Sequence, residues 1–375
     1  MGHHTKVLAV LGALLILQVS SETRTDTCSS GCESGTSEIS IGLLGSGLVG
    51  KEVLQQLLSQ SSRQLEGARI VALARSKVMW LRTGATDLQA MDHLELLPYE
   101  ATNLTKLGAY MKARSGLRII IDCTPADGPA DFYADWLAAG VNIVSANKHA
   151  GSGSLSRYKM IKRAAWLGQS QLLSEATVGA GLPVMSTLQD MIQTGDRILA
   201  IEGVFSGTLS FIFNQVGPDT SYADAVEEAM RLGFTEPDPR DDLSGSDVQR
   251  KVVILARELG MDIELDDVAP ESLVPAALNE WASPSGDKSD VADFVKRLRS
   301  VDGLMDDKLT KAGQQDKVLR YVGTVNASSG TASVSLLPVS AQHPLAGLQY
   351  ADNMVAFSSE RFSPRPLVVQ GPGAG

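Results

Sequence analysis

Residues 38–60 read EISIGLLGSGLVGKEVLQQLLSQ, and the fold class can be argued outward from them. The apolar run ISIGLL predicts a buried strand, and the spaced apolar residues after it predict a helix. Between them, Gly45, Gly47 and Gly50 fit the G-x-G-x-x-G spacing. The first glycine allows a tight turn, the second lets a pyrophosphate approach the backbone, and the third lets the helix pack on the strand. The stretch therefore predicts a dinucleotide-binding domain; the alternative is a chance glycine turn in another α/β unit.

The residues after the next strand bear on the choice of cofactor. The run ARIVALA at 68–74 predicts that strand, and Arg75, Ser76 and Lys77 follow it. An acidic residue at this place would accept a hydrogen bond from the ribose 2′-hydroxyl of NAD, whereas a cation suits the 2′-phosphate of NADP. Arg75 therefore favours NADP(H) over NAD(H), although a surface arginine after a strand is also common.

Two later strands end in polar residues. LRIIIDC at 117–123 is a continuous apolar run, which is typical of a central parallel strand, and Thr124 follows it. VNIVSANKHA at 141–150 predicts another strand that ends near Lys148. Ligands bind at the carboxyl ends of strands in open α/β sheets, so both residues are candidates for the cofactor site. A lysine at a strand end that simply faces solvent remains the other interpretation of Lys148.

The second half of the chain carries an acidic stretch, LGFTEPDPRDDLSGSDVQRK at 232–251. Its prolines are expected to rule out a helix in the acidic loop, and Asp242 or Ser244 is expected to cap a helix that runs to Gly260. Asp247 and Lys251 are four residues apart and share a face of that helix. A solvated acidic turn with one salt bridge is the alternative to a functional surface.

Composition limits the classes of function. The chain has 375 residues and a formal net charge of −10, so a nucleic-acid partner has no electrostatic support. No apolar run of the length needed to span a membrane occurs, so no membrane association is expected of the mature protein. The three cysteines, Cys28, Cys32 and Cys123, form neither a disulfide framework nor a zinc spacing.

The first 37 residues differ from the rest. VLAVLGALLIL at 7–17 has the length of a signal-peptide core, and 22–37 is rich in Ser, Thr and Gly. The segment fits a secretory signal, a two-part leader for entry into a plastid, or a misplaced start codon. The expected location is a plastid, with the cytoplasm as the alternative.

The ordered motifs GLLGSGLVG, IDCTPA, SANKHA, EATVGAGLPV, EGVFSGTLSFIFN, GFTEPDPRDDLSGSDVQRK and PLVVQGPGAG resemble homoserine dehydrogenase from about residue 38 to the end. These motifs are most similar to those in the dehydrogenase half of the fused aspartokinase–homoserine dehydrogenases. The resemblance implies NAD(P)H-dependent reduction of L-aspartate 4-semialdehyde to L-homoserine, on the route to threonine and methionine. It also implies a homodimer that acts on a small-molecule substrate.

The resemblance carries over residue by residue. Lys251 and Asp247 match the catalytic pair, and Lys148, which lies near both cofactor and substrate, is expected to be catalytic as well. Glu236 and Asp247 are the expected substrate-binding carboxylates. The cofactor positions that it implies are Gly47, Leu48, Val49, Thr124, Lys148 and Gly375. A sodium site is implied by the resemblance alone, at Glu175, Val178, Ala180 and Leu182.

The predicted fold class is α/β, a Rossmann-type nucleotide-binding domain plus an α+β catalytic and dimerisation domain. The expected segments are a leader at 1–37, the nucleotide domain at 38–180, the catalytic domain at 181–340, and a segment at 341–375 that returns to the nucleotide domain. In the family a helix follows GPGAG, so the resemblance implies either that the sequence is truncated or that the cofactor pocket is open on one side.

Two alternatives to an active homoserine dehydrogenase stay open. One is a catalytically impaired NADPH-binding relative that acts as an interaction protein. The other is a dehydrogenase for a different semialdehyde or amino acid, which no further motif supports.

Overall fold

The computed structural model describes residues 38–60, 68–82, 97–281 and 288–373. The predicted leader at 1–37 and Gly375 lie outside the described residues. The described chain divides into two compact units, with the division between Gly181 and Leu182. In the described part of the chain, no helix is long and apolar enough to cross a membrane.

The first unit alternates strands and helices. Its strands are β1 (Ile39–Leu44), β2 (Ala68–Ala74), β3 (Val78–Leu81), β4 (Glu100–Ala101), β5 (Leu117–Asp122), β6 (Asn142–Ser145) and β7 (Leu172–Leu173). Its helices are α1 (Leu48–Gln60), α2 (Leu104–Lys112), α3 (Tyr133–Ala138), α4 (His149–Ser152) and α5 (Leu155–Leu167). Short 3₁₀ turns occupy Gly128–Phe132 and Glu175–Thr177.

The strands of this unit form one sheet in the order β4-β3-β2-β1-β5-β6-β7. β1 pairs in parallel with β2 and with β5, while β3 and β4 run antiparallel at the edge. All six residues of β1 are buried, because separate hydrophobic clusters cover the two faces of the sheet. The chain leaves β1 towards β2 and later returns on its other side at β5. The carboxyl ends of β1 and β5 therefore form the crevice in which such sheets bind ligands.

The second unit is built on an antiparallel sheet in the order β10-β9-β8-β11-β12. Its strands are β8 (Ile198–Val204), β9 (Lys317–Asn326), β10 (Thr331–Ser340), β11 (Asp352–Ser359) and β12 (Leu367–Pro372). Its helices are α6 (Val184–Gln193), α7 (Gly207–Gln215), α8 (Tyr222–Arg231), α9 (Pro239–Leu243), α10 (Ser246–Glu258), α11 (Lys288–Arg299) and α12 (Gly303–Gly313). The fold class, a Rossmann-like domain followed by an α+β domain, is confirmed.

The C-terminal strands complete this second sheet. β11 pairs with β8, and β12 pairs with β11 from Leu367 to Pro372. Residues 341–373 thus belong to the second compact unit. Their predicted return to the nucleotide domain stays a prediction, as do the predicted domain limits.

The acidic loop differs from its prediction in one respect, because it contains the short helix α9. Pro239 stands at the first helical position, where its missing N–H costs nothing, and the Asp238 carboxylate accepts the amide of Arg240 at 3.0 Å as a cap. The expectation that the prolines exclude a helix was therefore wrong. The expected cap at Asp242 or Ser244 was also wrong, since α10 begins after Gly245 without a side-chain cap.

Gly245 separates α9 from α10 and has to be a glycine. Its φ is +73°, in the left-handed region, and a Cβ there would lie 2.0 Å from the hydroxyl of Tyr321. The turn aims α10 along the sheet, where Val248 and Val252 are buried. Asp247 and Lys251 share the neighbouring face of this helix, beside the buried stripe.

Candidate functional site

The glycine turn follows β1 and opens α1, as the sequence predicted. Gly45 has a φ of +82°, and a Cβ on Gly50 would lie 1.9 Å from the carbonyl oxygen of Gly45. Nothing described lies within 4 Å of a Cβ placed on Gly47, so the backbone there is open to a ligand. Leu48 and Val49 form the first residues of α1, whose free amides suit a pyrophosphate.

Arg75 lies beside this turn. Its Nε donates to the hydroxyl of Ser46 at 2.7 Å, and its guanidinium lies 5.6 Å from the ring centre of Tyr99. The backbone of Arg75 is also held, because its carbonyl accepts the hydroxyl of Thr102 at 2.7 Å. The cation is therefore fixed next to the glycine turn, where a 2′-phosphate would need it.

A buried polar network joins the carboxyl ends of β5 and β6. Asp122 is fully buried, and it accepts the amide and hydroxyl of Thr124, the hydroxyl of Tyr133 and the amide nitrogen of Asn147. Burial raises the pKa of Asp122, against the opposing effect of these hydrogen bonds. Lys148 follows Asn147 directly and stands at the start of α4, half-buried.

Cys123, which precedes Thr124, is a packing residue. Burial, with the nearby Asp122 charge, raises its pKa to about 12, so its thiol is not an available nucleophile at neutral pH. Thr124 and Lys148 stay the predicted site residues at these strand ends.

The second unit holds the predicted catalytic pair. The Lys251 Nζ lies 2.6 Å from a carboxylate oxygen of Asp247, as the spacing on α10 predicted. The lysine side chain is 13% exposed and the aspartate side chain is 49% exposed. Lys251 also donates to the backbone carbonyl of Phe205 at 2.7 Å. The ammonium group is thus held at two points and largely withdrawn from water, while Asp247 stays accessible.

The ring of Phe205 lies over two neighbouring strands, β8 and β9. A Cβ on Gly203 would lie 2.8 Å from its ring, and a Cβ on Gly323 would lie 2.9 Å from it. The same backbone carbonyl of Phe205 receives the side-chain amide of Asn353 at 3.4 Å. The acceptor for Lys251 is therefore fixed by the packing of the sheet beneath it.

Asp242 organises the loop that carries Glu236. The backbone amide of Glu236 donates to the carboxylate of Asp242 at 2.8 Å, while the Glu236 side chain is exposed. Burial raises the pKa of Asp242 to about 6, although the Glu236 amide and the Thr208 hydroxyl oppose this shift. Glu236 is therefore presented to solvent on a loop that a partly buried carboxyl group fixes.

Asp238 and Arg240, in the same acidic run, are structural. Arg240 is 1% exposed and pairs with Asp238 at 2.7 Å and with Asp290 at 2.8 Å. Burial alone would raise the pKa of Asp238, but its bonds to Arg240 outweigh burial and lower it. The acidic stretch thus contains a buried ion pair, Asp238–Arg240, and exposed carboxylates at Glu236 and Asp241.

The residues of the implied sodium site lie on a strongly turned segment. Glu175 begins the 3₁₀ turn Glu175–Thr177, and Ala180 has a left-handed φ of +54°. Val178 is buried, and the carbonyl of Leu182 accepts the amide of Val184 at 2.8 Å. Backbone carbonyls in such a turn, with one carboxylate, are the ligand type that suits a hard cation. Among the described residues, no cluster of His, Cys, Asp and Glu forms a metal site.

Several residues of the site were not predicted. Asp122 and Asn147 bond to predicted residues or to their neighbours, Thr208 bonds to Asp242, and Phe205 accepts Lys251 through its backbone. The spacing D-x-T at 122–124 could have indicated the first of these, because Asp often bonds the amide two residues on. The contact of Lys251 with Phe205 has no sequence signal.

Two family models match the chain. Residues 183–375 match homoserine dehydrogenase, and residues 45–175 match the homoserine dehydrogenase NAD binding domain. Homoserine dehydrogenase of Emericella nidulans is 39% identical over 352 residues, which cover 90% of this chain and 94% of that protein. Bifunctional aspartokinase/homoserine dehydrogenase 1, chloroplastic, of Zea mays is 40% identical over 343 residues. The match covers 90% of this chain but spans only 36% of that relative.

Solved structures agree on the fold. A Candida auris protein described as being of unknown function has a TM-score of 0.82 at 34% identity, covering 91% of this chain and 94% of that one. A hyperthermophilic archaeal homoserine dehydrogenase in complex with NADPH has a TM-score of 0.63 at 20% identity and covers 90% and 92%. Together, the family matches and the glycine turn, β5–β6 network and Asp247–Lys251 pair place this chain in the homoserine dehydrogenase family.

Proposed function

We propose that this protein reduces L-aspartate 4-semialdehyde to L-homoserine with a nicotinamide cofactor, NADP(H) in preference to NAD(H). The observation that carries the proposal is the withdrawn, doubly held ammonium group of Lys251 beside Asp247. The fixed cation of Arg75 at the glycine turn supports the cofactor preference.

The residues of the first unit would hold the cofactor. The amides after Gly45 and Gly47 would receive the pyrophosphate, and Arg75 the 2′-phosphate. Thr124 and Lys148 stand at the strand ends where the nicotinamide end is expected. When bound, the cofactor supplies the hydride for the aldehyde carbon.

Residues of the second unit would bind the substrate and move the proton. The carboxylate of Glu236 would hold the substrate ammonium, because a carboxylate is a strong acceptor for a cationic donor. Lys251 would give a proton to the oxygen that gains charge as the aldehyde is reduced, and Lys148 would stabilise that charge. Asp247 would keep the Lys251 ammonium in position. The meeting of Lys251 with the nicotinamide stays a prediction.

Three further proposals concern surroundings of the reaction. Glu175 and the carbonyls of Val178, Ala180 and Leu182 would hold a sodium ion, as their turned backbone allows. The protein would act as a homodimer, which sedimentation in solution would test. The segment 1–37 would direct it to a plastid, and a fluorescent protein fused to that segment would instead stay in the cytoplasm if the alternative holds.

The test of the reaction is turnover of NADPH with aspartate semialdehyde, compared with other aldehydes. Lys251→Ala should lower kcat by about a hundredfold or more, the usual size of a lost general acid. Lys308→Ala is the matched control, because it removes a lysine that pairs with Glu271 at 2.8 Å on an exposed surface.

Each outcome has a meaning. Near-native turnover by Lys251→Ala, with normal NADPH binding, would remove Lys251 from the reaction. NADPH binding by the parent protein without turnover of any aldehyde would favour the impaired relative. Preferred turnover of another aldehyde would indicate a different dehydrogenase.

A further inference from the structure

We propose that Asp122 is a positioning residue of the cofactor half of the site, which fixes Thr124 directly and Lys148 through Asn147. The proposal deepens the proposed function and depends on it for its kinetic consequences. Its binding consequences need only the cofactor.

The carboxylate divides its two oxygens between two loops. Oδ1 accepts the amide of Thr124 at 2.7 Å and its hydroxyl at 2.7 Å. Oδ2 accepts the hydroxyl of Tyr133 at 2.8 Å and the amide nitrogen of Asn147 at 3.1 Å. One oxygen therefore holds the loop after β5, and the other reaches the loop after β6.

Asn147 passes this constraint to Lys148. Its side-chain nitrogen also donates to the carbonyl of Ala126 at 2.7 Å, and its side-chain oxygen accepts the amide of His149 at 2.9 Å. The backbone on both sides of Lys148 is thus tied to one buried side chain. A lysine has long rotamer freedom, so the position of its ammonium depends on how firmly its backbone is held.

The chemistry of the network requires a carboxylate. An ionised carboxylate is an acceptor at both oxygens, and here each oxygen faces two donors. An asparagine at 122 would keep one accepting oxygen for Thr124 but would point an NH₂ group at the donor of Asn147. In that variant the hydrogen bonds to Thr124 would remain, and the bond to Asn147, which precedes Lys148, would be lost.

Asp122 is fully buried, and none of its four donor groups is a cation, so burying its carboxylate costs folding free energy. The Tyr133 hydroxyl also contacts the Ser145 hydroxyl at 2.8 Å. The network is therefore a set of buried polar groups at the carboxyl ends of β5 and β6. The arrangement is explained if the strand ends must hold Thr124 and Lys148 for a ligand.

The test compares Asp122→Asn and Asn147→Ala with the parent protein. Both should lower kcat about tenfold, the effect of losing one well-placed hydrogen bond of about 1.4 kcal/mol in the transition state. Asn147→Ala removes the 3.2 Å bond from Asn147 to the Thr124 hydroxyl but keeps both bonds of Asp122 to Thr124. The Kd for NADPH, measured by its fluorescence without substrate, should therefore rise less than threefold in this variant. The double variant should be no slower than Asn147→Ala alone, because the only bond to Asn147 that Asp122→Asn loses is already absent there.

Ser170→Ala is the matched control. Its hydroxyl donates to the carbonyl of Leu137 at 2.8 Å, in the interior of the same unit. It removes a single buried hydrogen bond, so it should lower the melting temperature less than Asn147→Ala does and leave kcat and Kd unchanged. If Asp122→Asn does not fold, Asn147→Ala and the control complete the test.

Two results would overturn the proposal. One is a parent-like kcat in both variants. The other is a fall in kcat that the Ser170→Ala control reproduces, because the network would then serve stability alone. Absence of turnover in the parent protein would instead refute the proposed function, and the Kd measurements would still report whether Asp122 fixes Thr124.

Discussion

Replacing Asp242 by asparagine should change how the stability of this protein depends on pH. The group has a usual pKa of 3.8, and burial raises its pKa to about 6 in the folded protein. Between these two values the folded chain keeps a proton that the unfolded chain has lost. Unfolding then releases a proton, so this group makes the protein less stable as the pH rises from about 4 to about 6.

The size of the effect follows from the shift. One pKa unit corresponds to about 1.4 kcal/mol, so the shift of roughly two units amounts to about 3 kcal/mol at most. Asp242→Asn cannot titrate, and its side-chain oxygen can still accept the Glu236 amide. The free energy of unfolding of the variant minus that of the parent should therefore increase by up to about 3 kcal/mol between pH 4 and pH 7.

The assay is denaturant unfolding of both proteins at several pH values, followed by circular dichroism. Asp293→Asn is the control, because Asp293 is an exposed carboxylate on α11 and its removal should produce no comparable slope. A difference between variant and parent that stays flat from pH 4 to pH 7 would refute the reasoning. It would mean that the Glu236 amide and the Thr208 hydroxyl compensate fully for the burial of Asp242.

Two further predictions concern single positions. Gly245→Ala should destabilise the second unit by about 2 kcal/mol or more, since left-handed backbone costs about 1–2 kcal/mol for an L-residue and the new Cβ would meet the Tyr321 hydroxyl. Urea unfolding would measure this loss. Gly303→Ala is the control, because its Cβ meets nothing within 4 Å and the variant should be as stable as the parent. Arg75→Ala should raise the KM for NADPH about tenfold or more and leave the KM for NADH nearly unchanged, because an arginine–phosphate bond is charge-assisted. Equal losses with both cofactors would show that Arg75 supports the glycine turn through Ser46 rather than selecting the phosphate.

The first unit was predictable from sequence because its signals are local. The glycine turn, the continuous apolar strands and the polar residues at their ends each lie within a short stretch, and β1, β5 and β6 were found where the patterns placed them. The pair Asp247 and Lys251 was predictable for the same reason, since helical spacing alone brings them together.

The interior of the acidic loop was not predictable in this way. The sequence presents Asp238, Asp241 and Asp242 as one charge run, yet Asp238 is buried and pairs with Arg240. Arg240 also pairs with Asp290 of α11. That contact joins positions 50 residues apart, and no local pattern encodes it. The short helix α9 was missed because a proline at the first turn supports a helix instead of breaking it.

The acceptor of the Lys251 ammonium is a main-chain oxygen, and this affects which substitutions the protein tolerates. A mutation in the codon for residue 205 exchanges the side chain but retains a carbonyl at that place. Mutational sensitivity should instead appear at Gly203 and Gly323, where an added Cβ would lie 2.8 Å and 2.9 Å from the Phe205 ring. A saturation screen of the second unit should therefore find variants at these two glycines depleted more strongly than aromatic or aliphatic exchanges at Phe205 itself.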